Sequence, residues 1–211
     1  MPHASCLMPG RTGGRMNIDA LAKTLLDGGV VLLPTDTIYG LHAVATNDVA
    51  VDRIAAIKGR DDTKPFIVLA SSIDQFPKLG IAVDPDLLGR LASIWPAPLT
   101  AILPLARPIA ASRGVSTLAV RIPDLEWLRE LTARTGPLVS TSANRSGSPA
   151  ATQPSDLAPD LLETIDAVVD AGPLSGEPSA ILDLTGDQPR FLREGHHSFT
   201  QFVWKTLRKS L

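Results

Sequence analysis

Five stretches of the chain carry side chains able to do chemistry, and no one of them is a complete catalytic set by itself. The first is Pro34-Thr35-Asp36-Thr37, which follows the apolar run Val30-Val31-Leu32-Leu33. Hydroxyls and a carboxylate at the carboxyl end of a buried strand stand where open α/β sheets bind ligands. The same residues also favour an ordinary turn. The second is Lys58-Gly59-Arg60 with Lys64 close behind. Lysine as a point charge and arginine as a planar fork suit a phosphate clamp, while cations just past a helix also suit its dipole. The third is Thr117-Leu118-Ala119-Val120-Arg121-Ile122-Pro123. If Leu118 and Val120 face one side of a strand, Thr117, Ala119 and Arg121 face the other. An arginine there needs an anionic partner, from the protein or from a ligand, unless the strand is an exposed edge.

The fourth stretch, Ser140-Thr141-Ser142-Ala143-Asn144-Arg145-Ser146-Gly147-Ser148-Pro149, offers hydroxyls, an amide and a glycine after a short strand. Such loops can cradle phosphate, and they also occur as solvated turns. The fifth is Pro178-Ser179-Ala180-Ile181-Leu182-Asp183, followed by Arg193-Glu194-Gly195. Several familiar chemistries have no motif here. There is no G-x-x-x-x-G-K-[ST], no strand-borne G-x-G-x-x-G, no G-x-S-x-G and no H-E-x-x-H. The four histidines are His3, His42, His196 and His197, and the adjacent pair makes a poor metal site without further ligands.

The elements that must position these groups follow from pattern and composition. The chain has 211 residues, 44% of them hydrophobic and 20% charged, which is an ordinary globular mix. A net charge of -2 argues against a broad nucleic-acid-binding surface but leaves room for a local basic groove. One cysteine, Cys6, excludes an internal disulfide and fits a reducing, cytoplasmic setting. No apolar run reaches the roughly 20 residues of a membrane span. Residues 1–15 read as a flexible N-terminal tail and residues 16–211 as one domain.

Helices are expected over about 17–26, 48–58, 84–94, 124–134, 155–165 and 199–209, from apolar spacing, caps and glycine stops. Strands are expected at 30–33, 66–69, 99–103, 117–122, 138–140, 167–170, 180–184 and 190–192. Interleaved helices and strands predict an α/β domain.

Taken in order, the segments resemble the YrdC-like family of threonylcarbamoyl-AMP synthases in its single-domain form. The resemblance runs from Gly29 to Leu41 through Lys58-Gly59-Arg60, Trp95-Pro96-Ala97-Pro98-Leu99-Thr100 and Ala119-Val120-Arg121-Ile122-Pro123. It continues through Ser142-Ala143-Asn144, Pro178 to Asp183 and Arg193-Glu194-Gly195. The chain departs from the common pattern at Asp61 and Ala97, and at Leu69, where some members place a histidine nearby.

The resemblance implies a single twisted mixed-sheet α/β domain with a large concave, locally positive cavity. It implies that L-threonine, bicarbonate and ATP yield threonylcarbamoyl-AMP and pyrophosphate. The product would feed N6-threonylcarbamoyladenosine modification of tRNA through a downstream transferase complex, with Mg2+ carried on ATP and weak tRNA contact left open. Thr35, Arg121 and Ser140 would hold threonine. Lys58, Arg60, Thr117, Ser142, Asn144 and Arg193 would hold ATP. Lys58, Arg60, Ser142 and Asn144 would be the catalytic set. A non-catalytic member that binds nucleotide or RNA is the alternative.

Overall fold

A computed structural model describes residues 5–6, 17–59, 64–145, 147–174 and 177–208. Among them run ten strands: β1 Ser5–Cys6, β2 Val31–Pro34, β3 Tyr39–Val44, β4 Ile67–Leu69, β5 Leu99–Pro104, β6 Thr117–Arg121, β7 Leu138–Ser142, β8 Ala167–Val168, β9 Ala180–Asp183 and β10 Arg190–Arg193. The helices are α1 Ile18–Leu26, α2 Asp48–Ile57, α3 Pro85–Ala92, α4 Glu126–Thr135, α5 Pro159–Leu162 and α6 His197–Arg208. All ten strands join one mixed sheet in the order β1-β8-β2-β3-β7-β4-β6-β5-β9-β10. Within the expected tail, Ser5 and Cys6 pair in parallel with Ala167 and Val168.

Local chemistry accounts for the element ends. Asn17 caps α1 by accepting from the Ala20 amide at 2.9 Å, and Asn47 caps α2 through Ala50 at 3.1 Å. Asp84 caps α3 with Pro85 in the first turn, as its sequence predicts. Gly59 leaves α2 at φ +62, a left-handed conformation that lets the chain turn directly after Lys58.

Two elements differ from expectation. β3 is not marked by alternation, because all six of its residues are buried on both faces. The helix expected over 155–165 is broken into a short turn, Pro154–Asp156, and the four-residue α5. Pro159 has no N–H to continue a helix and opens α5 instead.

The two faces of the sheet have different fates. One packs wholly: Ala43, Val139, Val68, Val120, Ala101 and Leu182 lie in register across it and are buried under α2, α3 and α6. The opposite face is covered only toward one side. There α1 and α4 bury Val31, Leu33, Val44, Leu69 and Leu138 against Leu21, Leu25, Leu128 and Leu131. Farther along, burial alternates in β6, β5 and β9. Thr117, Ala119, Ile102, Pro104, Ile181 and Asp183 stay partly accessible on this second face.

Tyr39 ties β3 to a distant loop. Its hydroxyl donates to the Gly172 carbonyl at 2.8 Å and accepts from the Ala171 amide at 2.9 Å. Tyr39→Phe leaves both backbone groups short of a partner and should lower stability by roughly 1–3 kcal/mol. Hydrogen exchange at the Ala171 amide should speed up in the variant; an unchanged rate there would show that the loop is held by other contacts.

Candidate functional site

The open face is organised by one cross-strand row: Val31, His42, Ser140, Ile67, Ala119, Ile102, Asp183 and Arg190 are successive partners from β2 to β10. Arg121 projects from the same face one pleat beyond Ala119, and Ser142 one pleat beyond Ser140. The strand register thus brings Thr117, Arg121, Ser140 and Ser142 to a common surface.

Arg121 is 4% exposed on an otherwise apolar strand, so its charge must be met within the protein. The turn between β2 and β3 does this. Thr37 Oγ1 accepts from Arg121 Nη1 at 3.0 Å, and Asp36 Oδ1 lies 3.3 Å from Nη2. That second contact is an ion pair without hydrogen-bond alignment, since Asp36 Oδ1 has no aligned donor. Asp36 Oδ2 accepts from the Asp124 amide at 3.1 Å, fixing the carboxylate to the start of α4. Because β6 stands third from β3 in the sheet, the turn has to double back across the open face to reach Arg121.

Thr35 shapes that turn. Its hydroxyl accepts from the Thr37 and Ile38 amides at 3.1 Å each and lies 2.8 Å from the Ile38 carbonyl, to which it donates. The side chain is thus engaged within the turn, where Thr35 and Thr37 are buried and Asp36 and Ile38 are partly accessible.

The second cluster gathers at the end of β7. Lys58, 3% exposed at the end of α2, donates through Nζ to the Ser142 carbonyl at 2.7 Å and to the Asn144 side-chain oxygen. Ser142 Oγ donates to Asn144 Oδ1 at 2.6 Å, and the Asn144 amide donates to the Ser148 carbonyl. Lys58 from one motif and Ser142 and Asn144 from another therefore form one network. Arg60 lies outside the described residues.

Arg193 ends β10 and donates through Nε to the Ser179 carbonyl at 2.7 Å. Burial pulls its pKa below the ordinary guanidinium value. Arg121 is lowered by its own burial; Asp36 opposes the shift and the like charge of Arg193 adds to it. Two guanidinium groups close enough to feel each other mark a corner that favours an anion. Ser179 Oγ sits 2.8 Å from Thr100 Oγ1, a buried hydroxyl pair beneath this region. Three participants lie outside the expected set: Asp36 and Thr37, which receive Arg121, and His42 on β3. None of these types is diagnostic in sequence, and only the register of β3 brings His42 to this face.

His42 has no exposed surface, and neither ring nitrogen makes an aligned hydrogen bond. Its ring leans over Gly40, where a Cβ would come within 2.8 Å of His42 Cε1. Burial pushes its pKa down to about 3; the nearby backbone of Gly40 and Val31 works against this and the Arg121 charge adds to it.

The arrangement defines a class: an α/β protein with a cationic corner and a polar network set on one open sheet face. The chain belongs to the Sua5/YciO/YrdC family, whose model, described as "Telomere recombination", matches residues 23–195. It is 36% identical over 180 residues to the threonylcarbamoyl-AMP synthase of Pyrococcus abyssi, covering 82% of this chain and 52% of that protein. It is also 36% identical over 171 residues to the synthase of that name from Pseudomonas fluorescens, covering 79% of this chain and 92% of that protein. The chain thus spans about half the length of the archaeal relative and nearly all of the pseudomonad one. Among solved structures it superposes on P. abyssi Sua5 complexed with L-threonine with a TM-score of 0.77 at 32% identity, over 89% of this chain and 56% of that one. Escherichia coli YciO shares the fold, with a TM-score of 0.76 at 24% identity over 93% of this chain and 97% of that one.

The depressed His42 pKa has a measurable consequence. An unfolded histidine binds a proton below about pH 6.5, whereas His42 in the folded chain resists until about pH 3. Its contribution is intact above pH 6.5 and is lost as pH falls toward 3, because the unfolded state takes up the proton first. Between pH 7 and pH 5 the wild type should lose roughly 2 kcal/mol more stability than His42→Gln. Urea denaturation at both pH values measures the difference, and parallel losses would show that His42 is protonated as easily in the folded chain.

Proposed function

We propose that this chain is an L-threonylcarbamoyladenylate synthase, making threonylcarbamoyl-AMP and pyrophosphate from L-threonine, bicarbonate and ATP. The observation that carries the reading is Arg121, a buried cation on the open face steered by Asp36 and Thr37. Relatives named threonylcarbamoyl-AMP synthase at 36–37% identity support it, as does the threonine complex of the P. abyssi structure.

In this reading Arg121 pairs with the carboxylate of threonine, with Ser140 and the turn built by Thr35 beside it. Lys58, Ser142 and Asn144 receive the phosphates together with Thr117 and Arg193. The accessible Ile67, Ala119, Ile102 and Ile181 give the nucleotide an apolar floor. The role of Arg60 rests on the family resemblance. Mg2+ enters as part of the substrate, on the ATP phosphates.

The reactants supply their own nucleophiles. The threonine amine bonds to the carbon of bicarbonate and a water molecule is lost, giving a carbamate; a carbamate oxygen then attacks the α-phosphorus, and the bond to the leaving pyrophosphate breaks. The protein contributes position and positive charge where negative charge gathers. This accounts for cations and hydroxyls drawn from three strands, the turn after β2 and a helix end in place of a triad. The adenylate is a reactive mixed anhydride, so a downstream transferase would carry it to tRNA. In this reading the enzyme works in the cytoplasm. Among the described residues, no helix is long and apolar enough to cross a membrane.

The test is pyrophosphate release that requires both threonine and bicarbonate. Lys58→Ala and Arg121→Ala should each reduce the rate by about 100-fold or more while remaining folded by circular dichroism. Wild-type rates in both variants would overturn the site assignment. A wild type without threonine-dependent release would point to a nucleotide- or RNA-binding member that does not make the adenylate.

A further inference from the structure

Among the described residues, five buried side-chain nitrogen or oxygen atoms lack an aligned hydrogen bond, and four of them belong to Arg121, to Asp36 beside it and to His42 on the same sheet face. They are Asp36 Oδ1, Arg121 Nε and the two ring nitrogens of His42. Protein interiors satisfy nearly all such atoms, so a cluster at a ligand-binding corner calls for a functional cause.

His42 is the part of this cluster that the proposed chemistry does not use. It lies on β3 directly opposite Ser140, on the face that carries Arg121 and four residues after the turn that Thr35 builds. Packing does not require an imidazole there. A leucine would fill similar volume without burying two nitrogens short of partners, a burial that costs free energy in the resting protein. The Gly40 position shows the ring to be closely seated, since even a methyl group would strike it. A neutral imidazole offers one N–H and one lone pair, which suits it to respond to a carboxylate or to the hydroxyls that hold one.

We infer that His42 is a positioning residue for the carboxylate corner: when a carboxylate occupies Arg121, the imidazole gains the hydrogen bond it lacks in the free protein and clamps the 35–38 turn against β3. The identity of that carboxylate as threonine rests on the proposed function; the role of His42 rests on the geometry.

Three variants separate polarity from shape. His42→Leu keeps the volume and removes the polar atoms; His42→Gln keeps a neutral donor and acceptor; His42→Ala removes both. The Leu and Ala variants should raise the KM for threonine by about tenfold, the scale of one well-made hydrogen bond. The KM for ATP should stay within about twofold, and the Gln variant should recover most of the threonine KM. In parallel, the imidazole 15N shifts of the wild-type protein, with histidines labelled and His42 assigned by its loss in the Gln variant, should move on adding threonine with ATP. A Leu variant as good as wild type, or His42 resonances unmoved by threonine in a protein that turns over, would overturn the proposal and leave the function standing. Resonances that shift with threonine in a protein that releases no pyrophosphate would support the proposal and overturn the function. No shift and no release would overturn both.

Discussion

A guanidinium cannot be left unpaired inside a protein, and the site is built around that constraint. Arg121 extends from a strand whose alternate residues, Leu118 and Val120, belong to the core. Burial of its charge is tolerable only if an acceptor reaches it, and removing one partner of such a pair typically costs about 3–5 kcal/mol. The acceptors come from far away in the sheet. The turn after β2 crosses the open face to bring Thr37 and Asp36 to the guanidinium, and Asp36 in turn anchors the entry to α4. One electrostatic requirement therefore links three segments and keeps the cation oriented on the face left open to ligands.

A complementary solution holds at the end of β7. Lys58 is also buried, and its partners include a backbone carbonyl, a hydroxyl and an amide oxygen. The two cations are thus treated differently. One is fixed in direction by a carboxylate and a hydroxyl from the turn after β2; the other ties the end of α2 to the loop after β7.

Much of this was legible in the chain. The strand residues Val31 to Leu33 and Thr117 to Arg121, and the capped helices α1 to α3, follow from short-range physics that a sequence records directly. Each polar motif also stands beside an element end, where local pattern is informative. Less legible was whatever depended on which strands are neighbours. β3 escaped notice because burial on both faces erases alternation. The break at Pro159 was masked by apolar residues that keep helical spacing on either side of it. The partnership of Thr37 with Arg121, 84 positions apart, depends on a turn crossing two intervening strands. His42 gained meaning only once its row in the sheet was known. Thr35 showed the converse: a residue readily seen as a ligand contact is engaged first in building the turn.

The row from Val31 to Arg190 has one more implication. Neighbouring strands are held about 4.8 Å apart and alternate residues along a strand about 6.6 Å apart. Groups mounted on a hydrogen-bonded lattice of this kind have their separations set by the backbone. The distance between the anion corner and the polar network is then a ruler with coarse divisions, insensitive to loop length and adjustable only by changing strand register or side-chain reach. A bound pair of reactants would be measured against that ruler, and substrates too long or too short to span it would be held out of line even if each end were well recognised.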